Sequence, residues 1–357
     1  MTMSFTLAAS AVGALDADAM AAARHRQERL VKPSGALGRL EDVSVQLCGI
    51  AGRCPAPVPS HPVVVVFAAD HGVALAGVTP WPQAVTAQMV AAACAGGAAV
   101  SVLSEQIGAR LLVVDIGVAG SLPPHPRLLD RKVRAGTADL SIDAAMTIDD
   151  VDAALNIGAA LAAEVIGDGA DLLVTGEMGI GNTTAAAAVI AALTGAPPAS
   201  CTGRGTGIDD AMLARKVDIV TAGVARLDGR ADDGRASGRA VLAEVGGLEI
   251  AALAGYIVAG VAARVPVIVD GVITLAALLA AERLAPGVAA GVIAGHRSVE
   301  PGASVALSAI GCEPLVDLRM RLGEGTGACL AVPIVRAAAA TLTSMASFDD
   351  AAVSTPD

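Results

Sequence analysis

Three segments hold residue types whose spacing could do chemistry. Arg321-Leu322-Gly323-Glu324-Gly325-Thr326-Gly327 sets one carboxylate between glycines. Glycine neighbours let a backbone pack against a flat ligand, and desolvation there raises a carboxyl pKa toward that of a useful general base. Taken alone, the heptad also reads as an exposed turn glutamate. Gly176-Glu177-Met178-Gly179-Ile180-Gly181-Asn182-Thr183-Thr184 joins an apolar run to an Ala-rich one. A glycine-rich strand-to-helix turn presents main-chain N–H groups and the positive end of a helix dipole, which suits a phosphate. The GxxxxGK[ST] pattern is absent, so this turn is not that of a P-loop NTPase. Cys201-Thr202-Gly203-Arg204-Gly205-Thr206-Gly207 is a second glycine-rich loop, where Arg204 suits phosphate or carboxylate, and Lys216 follows in a helical stretch.

A fourth segment, Asp70-His71-Gly72, ends the best strand candidate. With His296 it could make a metal-dependent hydrolase. The remaining histidines, His25, His61 and His125, supply no assembled set, and a metal site usually needs three or four ligands. A metal is therefore not expected.

The elements that must position these residues read clearly. Short β-branched runs at Val63–Phe67, Leu111–Val114, Leu172–Val174, Val265–Val269 and Gly291–Ala294 each end at a charged residue or glycine. Continuous apolar strands belong to a parallel sheet covered on both faces. Ala-rich helical stretches lie between them, at 84–103, 151–166, 183–193, 212–227, 248–263 and 274–284. The alternation predicts an α/β fold with a doubly wound, mostly parallel, Rossmann-like sheet. Ligands in such folds sit outside the carboxyl ends of the strands, where the segments above begin. Residues 1–55 and 325–350 lack strong strands and predict a small helical subdomain built from both termini. Residues 56–324 form the large substrate-binding domain, and 351–357, with Asp349 and Asp350 before them, a frayed tail.

Composition narrows the function classes. The chain has 357 residues, enough for one large core and an appended unit. Its hydrophobic share of 54% against 17% charged marks it as globular. The net charge of −11, with one Trp, one Tyr and three Phe, excludes the basic, aromatic footprint of nucleic-acid binding. Six cysteines without CxxC or zinc-like spacing read as buried thiols in a reducing compartment. The mean hydropathy of +0.64 raises the question of a membrane. The uncharged runs 72–104 and 178–203 carry Pro, Gly and polar residues and lack the sustained apolar stretch of ~20 residues that a span needs. No positive residue precedes the apolar N-terminal segment, so no signal peptide is expected. The cytoplasm is the expected compartment.

A series of segments in fixed order carries a resemblance. Lys32-Pro33-Ser34-Gly35-Ala36-Leu37-Gly38-Arg39-Leu40-Glu41, Phe67–Val73, Gly77-Val78-Thr79-Pro80-Trp81-Pro82 and Val85-Thr86-Ala87-Gln88-Met89 begin it. Gly176–Thr184, Gly203–Gly207, Gly295–Gly302 and Arg321–Gly327 continue it. Together they resemble the nicotinate-nucleotide:dimethylbenzimidazole phosphoribosyltransferase family of cobalamin biosynthesis, from about residue 28 to residue 335.

The resemblance implies a two-domain homodimer without a cofactor. It implies transfer of the phosphoribosyl group of nicotinate mononucleotide to 5,6-dimethylbenzimidazole, giving α-ribazole 5′-phosphate and nicotinate. Glu324 matches the family's general base. Thr79, Pro80, Trp81, Gln88 and Leu322 match the base pocket. Glu177, Gly179, Gly181, Asn182, Thr183, Gly203, Arg204, Gly205, Lys216, Asp270, Gly271 and Ser298 match the nucleotide and phosphate side. Ala36 stands where a Ser is expected, and Ala303 where a His often closes the segment after His296. A non-catalytic nucleotide- or benzimidazole-binding protein is the other alternative. A transferase using phosphoribosyl pyrophosphate fits less well, because no strand ends in paired acids followed by a compact phosphate loop.

Overall fold

The computed structural model describes residues 3–227 and 237–354. Six strands form one sheet: β1 (Pro62–Ala69), β2 (Arg110–Gly117), β3 (Leu128–Asp130), β4 (Leu172–Met178), β5 (Val267–Val269) and β6 (Val292–Ala294). Their spatial order is β3-β2-β1-β4-β5-β6, and every pairing is parallel. Strand β1 explains the fold class. All eight of its residues are buried. Val63, Val65 and Phe67 enter one core, whereas Val64, Val66 and Ala68 enter the other. Side chains alternate across a strand, so a strand covered on both faces must be apolar throughout. Edge strand β3 escapes the sequence reading because it is three half-exposed or exposed residues with no β-branched member.

Helices cover both faces. Ile148–Gly167, Asn182–Thr194, Leu248–Ala262, Val272–Leu284 and Pro301–Ile310 contribute to the first core. Ala17–Arg29, Arg39–Ala51, Val85–Ala95, Ala99–Gln106 and Thr326–Ser344 contribute to the second. Leu248–Ala262 packs between Ile148–Gly167 and the sheet, and its residues 248–261 are all buried. A helix enclosed on every side has no polar stripe to select for. The expected single helix at 84–103 is two, broken at Gly96 and Gly97.

The terminal helices divide between the two cores. Ala17–Arg29, Arg39–Ala51 and Thr326–Ser344 pack together and share their core with β1 and β4. Helix Phe5–Ala11 instead lies on the opposite face. The Phe5 amide donates to Asn156 Oδ1 at 2.9 Å, and the Arg239 guanidinium sits 5.4 Å above its ring. Phe5 and Ala8, three residues apart on one helix face, are buried there. Asp349 and Asp350 are ordered in a short capped helix, with Arg29 donating to Asp349 Oδ2 at 2.6 Å. Residues 352–354 are exposed, and 355–357 lie outside the described residues. Val85–Gln106 and Thr326–Ser344 are long and apolar enough to cross a membrane by length and composition. The first is the broken pair, and the second packs its apolar side into the core.

The sheet order reverses between β1 and β4. Chain leaving the carboxyl ends of β4, β5 and β6 forms a cavity there, as expected of a doubly wound sheet.

Candidate active site

The cavity has a volume of about 380 Å³, of the size that holds a small molecule. Glu177 and Gly179 come from the end of β4, Gly271 from the turn after β5, and His296 and Ser298 from the turn after β6. Arg321 to Glu324 close it on the way into helix Thr326–Ser344.

The Glu324 segment has an unusual backbone. Gly323, Glu324 and Gly325 all lie at positive φ, +81°, +62° and +92°. Glycine takes this conformation freely, whereas for glutamate it costs about 1–3 kcal/mol. Packing holds it in place: Glu324's carbonyl lies against Gly176, where a side chain would collide. Asp270 fixes the following turn, accepting from the Gly325 amide at 3.1 Å and the Ala328 amide at 2.8 Å. An acid from one strand end thus caps the helix that begins beside another acid.

Glu324 is 7% exposed, and its Oε2 has no hydrogen-bond partner. Burial, then the charge of Asp270, raises its pKa above the ordinary carboxylate value. Glu177 is more deeply affected: burial, then Asp270, pushes it up to about 8. Glu177 Oε2 accepts from Asn182 Nδ2 at 2.5 Å. Two neighbouring acids with separated pKa values can hold different protonation states at one pH.

Trp81, Val85, Met89, Met178 and Leu322 give the same cavity an apolar lining suited to a flat ring. Thr86 Oγ1, accepting from the Ile180 amide at 3.1 Å, ties their helix to the turn after β4. A third region is polar. Lys216, 1% exposed, donates from Nζ to Thr183 Oγ1 at 2.8 Å and to the Gly203 carbonyl at 3.1 Å. Burial brings its pKa down to about 8, opposed by the charge of Glu300. Glu300 Oε1 accepts from the Gly205 amide at 2.8 Å, and Arg321 donates to the Gly205 carbonyl at 3.1 Å.

Of the residues singled out in the sequence, Glu324, Trp81, Leu322, Glu177, Gly179, Asn182, Thr183, Gly205, Gly271 and Ser298 line this cavity. Others do not. Thr79 Oγ1 accepts from the Trp81 amide at 3.2 Å, shaping the loop, and Pro80 and Gln88 are exposed. Gly181 caps helix Asn182–Thr194. Asp270 is fully buried behind the wall, and Lys216 lies behind Thr183 and Gly203. Gly203 and Arg204 line an adjoining cavity of about 480 Å³. Arg204 pairs with Asp210 and donates to the Ile208 carbonyl.

The hydrolase alternative fares differently. His71 Nε2 is 2.7 Å from Glu249 Oε1, with both side chains fully buried. Asp70 Oδ2 accepts from the Ala119 amide at 2.7 Å. His296 has Asp270 as its acid neighbour. The three residues thus have separate partners, and no group of three or more metal-ligating side chains is assembled among the described residues.

The phosphoribosyltransferase family pattern matches residues 12–353. A nicotinate-nucleotide–dimethylbenzimidazole phosphoribosyltransferase of Salinispora tropica is 51% identical over 358 residues, spanning 96% of this chain and 97% of its own. The chain belongs to that family. The enzyme of the same name from Chloroflexus aurantiacus is 52% identical, with 96% of each chain covered. The crystal structure of CobT from Thermus thermophilus superposes with a TM-score of 0.91 at 46% identity, covering 95% of this chain and all of that one. The fold and the resemblance expected from the sequence are thereby established.

Met89, Val272, Ile273, Glu300 and Arg321 also line the cavity and were not assigned a role from sequence. Val85 and Met89 are four apart on one helix, a spacing that places both on one face. That signal was present, but it does not distinguish a cavity wall from a core.

Proposed function

We propose that the chain transfers the phosphoribosyl group of nicotinate mononucleotide to 5,6-dimethylbenzimidazole, releasing nicotinate and forming α-ribazole 5′-phosphate in nucleotide-loop assembly of cobalamin. The observation that carries the mechanism is Glu324: a buried carboxylate with a free oxygen, raised pKa and a fixed backbone, in a cavity with an apolar lining. The relatives' shared name supports the choice of substrates.

The C1′–N bond to nicotinate breaks, and its electron pair neutralises the pyridinium ring, so departure needs little acid assistance. A benzimidazole nitrogen forms the new bond to C1′, while its ring N–H proton passes to Glu324. Attack opposite the departing ring inverts the anomer from β to α. Holding both rings across C1′ supplies much of the acceleration by orientation. Glu177, with its pKa pushed to about 8, retains its proton near neutrality and leaves Glu324 as the acceptor. The Gly203–Gly205 loop, braced by Lys216, Glu300 and Arg321, supports the phosphate end. A homodimer accompanies this reading and is tested by sedimentation velocity.

The test is direct. Incubation of the protein with nicotinate mononucleotide and dimethylbenzimidazole, followed by chromatography, should give free nicotinate and α-ribazole 5′-phosphate in equal amounts. Binding of both ligands without nicotinate release would favour a non-catalytic carrier.

A further inference from the structure

The chemistry above leaves His296 unused, although it stands in the wall of the cavity. Its side chain is 2% exposed, and neither ring nitrogen has a hydrogen-bond partner. Buried polar atoms are nearly always satisfied, so an unpartnered imidazole in a ligand cavity calls for a ligand atom. The ring is also held firmly. Nε2 lies 3.4 Å from Asp270 Oδ1, close but outside good hydrogen-bond geometry. Asp270 itself is locked by the Gly325 and Ala328 amides. On its other side the ring packs against Gly327, where any side chain would overlap it.

Position identifies which part of a ligand the ring meets. Trp81, Val85 and Met89 supply apolar lining, and Gly205 and Thr183 supply polar lining next to Lys216 and Glu300. His296, Ser298 and Gly271 form a further patch of wall, at the ends of the two strands beyond β4. A mononucleotide with its ring on the apolar lining and its phosphate by Gly205 and Thr183 leaves its ribose for the remaining polar lining. A ribose hydroxyl both donates and accepts, and so satisfies an imidazole nitrogen in either tautomer.

The geometry points to His296, steadied by Asp270, as the residue that hydrogen-bonds a ribose hydroxyl of the mononucleotide and fixes the sugar for displacement at C1′. This rests on the phosphoribosyl-transfer reading. Wild-type turnover of nicotinate mononucleotide tests that reading first and separately.

The experiment compares kcat/KM for nicotinate mononucleotide with its 2′-deoxy and 3′-deoxy analogues, in the wild type and in His296→Ala. The intrinsic reactivity of each deoxy sugar cancels when the two proteins are compared. The ratio of ribo to deoxy substrate should fall about tenfold on substitution for one of the two analogues, the scale of one hydrogen bond in a closed site. Unchanged ratios for both analogues overturn the assignment, because a purely structural histidine would lower all three substrates alike. If His296→Ala does not fold, a crystal structure of the wild type with nicotinate mononucleotide decides. A ribose oxygen within about 3.2 Å of a His296 nitrogen supports the inference, and a sugar turned away from the ring refutes it.

Discussion

The main-chain amide of Glu324 donates to the carboxylate of Glu177 at 3.3 Å, joining the two buried acids of the cavity through the backbone of one and the side chain of the other. Glu177 thereby helps hold the positive-φ turn that aims Glu324, while Glu324's own Oε2 stays free. One acid braces the turn, and the other is the proton acceptor of the proposed reaction.

Glu177 carries a stability consequence. Its folded pKa of about 8 lies above the ordinary carboxylate value of 4.5, so the native state binds a proton that the unfolded chain has lost. Its contribution is fully present below pH 4.5 and declines as pH rises toward 8. Denaturant titrations of wild type and Glu177→Gln across that window should show a shallower fall for the variant. Parallel slopes would contradict the assignment.

Lys216 works in a different range. Its ammonium holds Thr183 and the Gly203 carbonyl, and its pKa of about 8 means that the charge is lost above that pH. KM for nicotinate mononucleotide should rise above about pH 8, while KM for the benzimidazole changes little. Lys216→Met should show the raised nucleotide KM, about tenfold, already at pH 7, because a lost charged hydrogen bond is of that order.

Trp81 is the chain's only tryptophan, half-exposed at the cavity wall. Its fluorescence should change on addition of dimethylbenzimidazole alone, which reads base binding without turnover. Trp81→Ala should raise KM for the base about tenfold, the scale of one lost aromatic contact of ~1.4 kcal/mol, and leave kcat within a few-fold. A silent titration, with KM unchanged, would move the base elsewhere.

Asp270 accepts from two main-chain amides and does not itself line the cavity. Asp270→Ala strands the Gly325 and Ala328 amides at a buried helix start. It should cost about 1–3 kcal/mol of stability per unsatisfied group, measured by denaturant unfolding.

Much of this was legible in the residues. The five strand runs stand out because a doubly covered strand admits little besides Val, Leu, Ile and Ala, and the strand ends then mark the site. The support was less legible. Nothing in Cys201–Gly207 announces that Gly205's amide is already satisfied by Glu300, ninety-five positions away. Asp270 reads as a ligand contact because an acid followed by glycine at a strand end resembles one. Its role as a cap appears only when helix Thr326–Ser344 is brought beside it. Helix Phe5–Ala11 was grouped with its sequence neighbours, but Phe5 finds its packing partners near residues 156 and 239. Local pattern records which atoms must be covered, and topology decides by what.

The measurement closest to the central claim is turnover by Glu324→Gln with nicotinate mononucleotide and dimethylbenzimidazole. The amide preserves size and shape but accepts no proton. Unfolding should match the wild type, and kcat should fall on the order of 10²-fold or more, with KM for the nucleotide little changed. A folded variant that releases nicotinate at near wild-type rate would contradict the account.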